Sequence, residues 1–122
     1  MKVLLSIKPV FAEQIFNGSK IYEFRRTIFK NRDVNTIIVY ASSPVQRVIG
    51  EFEIEEIIYD TIQTLWKKTY RHAGISQEDF YKYFVSKDKG YAIKIKKPYR
   101  YKRPLSLQRD FKLNPPQFFV YL

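Results

Sequence analysis

The nine residues GSKIYEFRR (18–26) set the amine of Lys20, the carboxylate of Glu23 and the guanidinium of Arg25 around apolar Ile21, Tyr22 and Phe24. On a strand, side chains two apart share a face, so Glu23 and Arg25 can pair there. An arginine held by a carboxylate presents its remaining donors in a fixed direction, which suits reading the edge of a base or gripping a phosphate. A structural ion pair that anchors the strand is the competing reading of the same two residues. For hydrolysis the stretch offers Lys20 with Glu23 as an acid/base pair, or Tyr22 as a proton donor. A regular strand places Lys20 and Glu23, three apart, on opposite faces.

Other chemistries find few residues. His72 is the only histidine and there is no cysteine, so no metal site and no cofactor are expected. No serine sits in a nucleophile elbow, and the four glycines are too scattered for a phosphate loop. The acidic ladder Glu51, Glu53, Glu55 and Glu56 reads as a solvated strand edge that discourages aggregation.

The formal net charge is +10, and the segment from Lys87 to Lys112 carries most of it, ten Lys or Arg against Asp88 and Asp110. Such a field attracts polyanions, so nucleic acid is the expected partner, with Lys94 and Lys96 among its phosphate contacts. Interleaved aromatics, as in KKPYRYKR, offer rings on which bases can stack. At 122 residues and 45% apolar content, one domain spanning 1–122 is expected. The absence of cysteine suits a reducing cytoplasm. The N-terminal apolar run is broken by Lys8 and Pro9, so neither a signal peptide nor a membrane segment is expected. Oligomeric state leaves no mark in the sequence.

The elements that must hold these side chains are legible from periodicity. VLLSI (3–7) reads as a buried strand. Pro9 opens a helix that presents Phe11, Ala12, Ile15 and Phe16 on one face and stops near Asn17 and Gly18. Strands follow at KIYEFRR, TIIVYA (36–41) and RVIGEFEIEEIIYD, the last with a bulge or an end at Glu55-Glu56. Two helices come next, one capped at Asp60 or Thr61 and ended by Gly74, the other capped by Ser76 with Ile75 and Phe80 as its staple. YAIKI is a strand, YRYKR between two prolines an edge strand or extended segment, and PPQFFVYL a final strand. This order predicts an α+β fold, a small twisted β-barrel of about five to six strands with helices packed at its mouth.

SIKPVFAEQIFNGSKIYEFRR resembles the ASCH domain family of the PUA-like superfamily, whose G-x-K-x-x-E-x-R signature matches Gly18, Lys20, Glu23 and Arg25. IIVYASSPVQRVIGEFEI and the closing PPQFFVYL extend the resemblance over essentially the whole chain. It implies a PUA-like barrel that binds RNA or a modified base in a cleft beside the first helix. Lys8, Lys20 and Arg25 would meet phosphate or base, Glu23 would orient Arg25 or accept from a base amine, and Ser42 and Ser43 would offer hydroxyls. Some members of the superfamily are ribonucleases or acetylcytidine amidohydrolases. The amidohydrolase pattern resembles G-x-K-x-x-T, and here Glu23 stands at the threonine position, so binding is expected over cutting. A regulatory module that binds a protein or nucleotide-like effector is a further alternative.

Overall fold

Short β-branched runs and one proline-started helix determine how the chain begins, and the computed structural model describes all of residues 1–122. β1 (Lys2–Ile7) buries Val3, Leu4, Leu5 and Ile7. Pro9 then stands at the first position of α1 (Pro9–Phe16), where its missing N–H costs no hydrogen bond. After β2 (Tyr22–Arg25) and β3 (Thr36–Ala41), β4 runs from Arg47 to Thr61. The register of β4 slips at three places, one of them between Ile54 and Glu56, so the doubled glutamate marks a bulge rather than an end.

α2 (Ile62–Thr69) is capped by the Thr61 hydroxyl and continues as a short 3-10 turn at Tyr70–His72. In α3 (Gln77–Tyr83) the Ser76 hydroxyl accepts from the Asp79 N–H at 3.1 Å. β5 (Lys89–Leu105) is a single strand that includes YRYKR. α4 (Leu107–Phe111), which periodicity did not suggest, is one turn capped by Ser106, and β6 (Phe119–Tyr121) closes the fold.

The strands form one curled six-stranded sheet in the order β2-β5-β4-β3-β1-β6. β1 and β3 are parallel and every other pair is antiparallel. The expected α+β architecture is therefore present, as a half-barrel with helices against it. Ala12 and Ile15 of α1 pack into the main core with Val3, Leu5, Ile37, Val39, Phe52 and Ile93. A second cluster joins Phe24 to Leu65, Phe80 and Phe84 of the helical segment. Each large apolar side chain buried this way contributes about 1.5–3 kcal/mol. No helix is long and apolar enough to cross a membrane.

The sheet order corrects the reading of the acidic ladder as a strand edge for Glu51 and Glu53, which lie where β4 pairs on both sides, whereas β3 does not reach Glu55 and Glu56. β4 lies between β3 and β5, and its glutamates sit opposite the cations and tyrosines of β5. Glu55 pairs with Lys94 at 2.9 Å, Glu53 reaches Lys97 at 4.0 Å, and Glu51 accepts from the Tyr101 hydroxyl at 2.8 Å. The free edge belongs to β5 beyond Ile95, because β2 pairs only with Tyr91 through Lys94. Pro98 and Pro104 fall in that stretch, where β2 asks for no N–H.

Gly50 allows β4 to pass beneath α1. A methyl group there would stand 2.5 Å from the Phe16 ring and 2.5 Å from the Tyr99 carbonyl oxygen, and the second of these is sheet backbone that cannot swing aside. Gly50→Ala is expected to lower stability by about 1–3 kcal/mol, seen as a lower midpoint in urea with an unchanged slope.

Candidate functional site

Two elements and one loop bring the polar residues of GSKIYEFRR together. β2 starts only at Tyr22, so Lys20 precedes the ladder, and its position is set from outside the strand. Its backbone N–H donates to Gln14 O at 3.0 Å, and the next N–H, of Ile21, donates to His72 O at 2.9 Å. Period two does not govern a residue held this way. Lys20 and Glu23 therefore line the same cavity, against the expectation of opposite faces.

The Lys20 side chain is almost fully buried, 2% exposed. Its Nζ donates to Ala73 O at 2.5 Å and stands 4.9 Å from the ring centroids of both Phe11 and Phe24. Ring faces attract a cation electrostatically, so carbonyl and rings replace part of the lost hydration. Gly74 makes the close approach of this loop possible. It has φ +66°, and a Cβ there would meet Gln14 Oε1 at 2.7 Å and Lys20 Cγ at 2.9 Å.

Glu23 and Arg25 share a face of β2, as alternation predicts. Arg25 Nη2 donates to Glu23 Oε2 at 2.8 Å and to Ser6 O at 2.9 Å, which ties β2 to the end of β1. Both side chains are largely buried, 14% and 7% exposed for Arg25 and Glu23. Removing one partner would strand an uncompensated charge. The Arg25 Nε atom is buried without any acceptor. An unmet buried donor carries a desolvation cost of about 1–3 kcal/mol.

These groups line a cavity of about 180 Å³ whose apolar walls are Phe11, Phe24, Ile75 and Tyr83. Lys8 contributes its side chain at the entrance to α1. A cavity of about 150 Å³ accepts one benzene ring, so this one has room for a single flat heterocycle. Burial lowers the Lys20 pKa, Arg25 adds to the lowering and Glu23 opposes it. Burial raises that of Tyr83, whose hydroxyl donates to Phe24 O at 3.1 Å. A buried amine with a lowered pKa can exchange a proton nearer to neutrality than an ordinary lysine.

The remaining expected residues lie elsewhere. Tyr22 points to the other face of β2, packs against the helical cluster and borders a surface depression with Lys67 and His72. The phenol at the cavity is Tyr83 of α3, which nothing in its local sequence distinguishes. Ser42 and Ser43 turn the chain from β3 towards β4, with Ser42 N donating to Ile7 O at 3.0 Å and a cis Ser43–Pro44 bond following. Neither serine borders the cavity. Lys94 is held by Glu55, and Lys96 is exposed on β5. No group of three or more His, Asp or Glu side chains is placed to hold a metal ion.

Comparison with known proteins places this geometry in context. Residues 5–99 match the model of the ASCH domain. An ASCH domain-containing ribonuclease of Zymomonas mobilis is 32% identical over 125 residues, covering 99% of this chain and 84% of the relative. The crystal structure of ASCH from Zymomonas mobilis superposes with a TM-score of 0.89 at 31% identity, over 99% of this chain and 87% of that one. The large ribosomal subunit protein uL22 of Ureaplasma parvum is 31% identical over 121 residues. There the chain is matched over 98% of its length but spans only 39% of the relative.

The lowered pKa of Lys20 fixes the sign of a pH effect. Between the folded pKa and the unfolded value of 10.5, the unfolded chain binds more protons, so this group adds stability as pH rises through that window. Urea melts of the wild type and Lys20→Met should give a stability difference that shifts in favour of the wild type from neutral pH to 10.5. A difference that stays flat over this range would mean that the amine is not depressed.

Proposed function

The chain belongs to the ASCH domain family, and on that premise we propose that it binds single-stranded RNA by taking one base into the cavity lined by Lys20, Glu23 and Arg25. The observation that carries this reading is the size and lining of the cavity. It has room for one flat ring, apolar and aromatic walls for its faces, and a donor and an acceptor for its edge. Glu23 keeps Oε2 on Arg25, which leaves its second oxygen to accept from an amino or imino group of a base. Lys20 supplies donors for ring nitrogen, carbonyl or phosphate oxygens.

Cleavage of the bound strand is a second reading, favoured by the lowered pKa of Lys20 and by the ribonuclease name of a relative that this chain covers over most of its length. In that reading a neutral Lys20 takes the proton from an attacking oxygen as that oxygen bonds to phosphorus, and the P–O5′ bond breaks. The leaving 5′ oxygen takes a proton from the Lys20 ammonium or from water, and Glu23 and Arg25 orient the nucleotide. Position 23 offers no hydroxyl nucleophile, so the attacking group is water or the RNA's own 2′-hydroxyl.

Fluorescence anisotropy with an end-labelled single-stranded RNA tests the binding claim, and electrophoresis of the same mixtures tests cleavage. Glu23→Gln is expected to weaken binding by about 10- to 100-fold, the loss of a charge-assisted hydrogen bond of about 1.5–3 kcal/mol. Products that vanish in Lys20→Met would establish the second reading as well. No binding by the wild type at low salt would overturn both.

A further inference from the structure

Carboxylates occupy some of the cations expected to hold phosphate and leave others, Lys96 among them, without a partner. Along β5 and beyond, Lys94, Lys97, Arg100 and Arg109 each face a carboxylate, from Glu55, Glu53, Glu13 and Asp110. Lys30, Arg32, Lys87 and Lys89 have no such partner, and all four border one open groove of about 640 Å³. Asp88 is its only acid. Arg26, on the same groove, is fixed by donating to the carbonyls of Tyr83 and Val85 at 2.8 and 2.7 Å.

The groove also holds an aromatic platform. Tyr59 of β4 and Tyr91 of β5 are direct cross-strand partners, with rings stacked at 4.5 Å between centroids and 26° between planes. Tyr91 backs Tyr59, and Tyr59 is 55% exposed on the part of β4 that β3 does not cover. Lys89 Nζ lies 5.5 Å from the Tyr59 centroid. A smaller cavity of about 130 Å³ continues the groove inward. It shares Arg26 through Phe29 with the groove, and Arg25 and Tyr83 with the Lys20 cavity.

We propose that this groove is the track for the nucleotides that flank the captured base. One flanking base stacks on Tyr59, and Lys30, Lys87 and Lys89 hold the phosphates leading towards the Lys20 cavity. The inference rests on the RNA reading above and adds to it a second contact region on the other side of Arg25. Aromatic faces accept any unpaired base and no base inside a duplex, so the track selects single strands without selecting sequence. Its lysines act through counterion release, which makes their share of the affinity salt-dependent.

Anisotropy titrations over a range of salt test the track, using a labelled single-stranded RNA of about ten nucleotides and its duplex form. Tyr59→Ala should weaken single-strand binding by about 5- to 100-fold, and Tyr59→Phe, which keeps the ring, should restore it. Lys87→Ala/Lys89→Ala should reduce the slope of log affinity against log salt by about 1.4, at about 0.7 per phosphate contact on a single strand. Glu23→Gln should weaken binding without changing that slope. Wild-type binding that neither the Tyr59 nor the lysine variants alter would overturn the track and leave the cavity reading intact. Equal affinity for the duplex would also overturn it. Absence of wild-type binding would remove the RNA reading itself, and the track with it.

Discussion

A lysine amine held almost out of water organises the candidate site, and several features of the fold exist around it. Burying an isolated ammonium costs several kcal/mol, so the protein must supply what water supplied. The Ala73 carbonyl accepts from Nζ, the rings of Phe11 and Phe24 face it, and the Glu23 carboxylate opposes the loss of its proton. The partners come from three elements: the loop after the 3-10 turn, α1 and β2. Arg25 then balances Glu23 and, through Ser6 O, fixes β2 against β1. The cavity is what remains between these groups, with Ile75 and Tyr83 closing its apolar side.

The charge distribution follows from strand register rather than from composition. β4 and β5 lie antiparallel over most of their lengths, which carries the acidic residues of one to the basic residues of the other. Exposed pairs of this kind add little stability, about 0–1 kcal/mol each. They do offset part of the charge that those lysines present to a polyanion. Of the cations left without a carboxylate, Lys30, Arg32, Lys87 and Lys89 gather where the segment after β2 meets the start of β5, around the stacked tyrosines. These four charges line one groove, the proposed track for RNA.

The sequence already marked much of this. Pro9 and Gly18 bracket α1, Ser76 caps α3, the apolar tail returns as a strand, and alternation puts Glu23 and Arg25 on one face. Lys20 was misread because backbone bonds to Gln14 and His72 hold it outside the ladder, and the second of these comes from far along the chain. Tyr83 was missed for a similar reason, since only the docking of α3 beside β2 brings it to the cavity. The role of β4 as an interior strand depends on which strands pair, and alternation within one strand carries no such information. Local pattern gave the elements, whereas contacts distant in sequence assembled the site.

A crystal structure of the protein with a short single-stranded RNA tests the central claim most directly. The account predicts one base inside the cavity, its edge towards Lys20 Nζ and the free Glu23 oxygen, and its face against Phe11 or Tyr83. RNA bound elsewhere on the surface, with the cavity empty of any base, would contradict it.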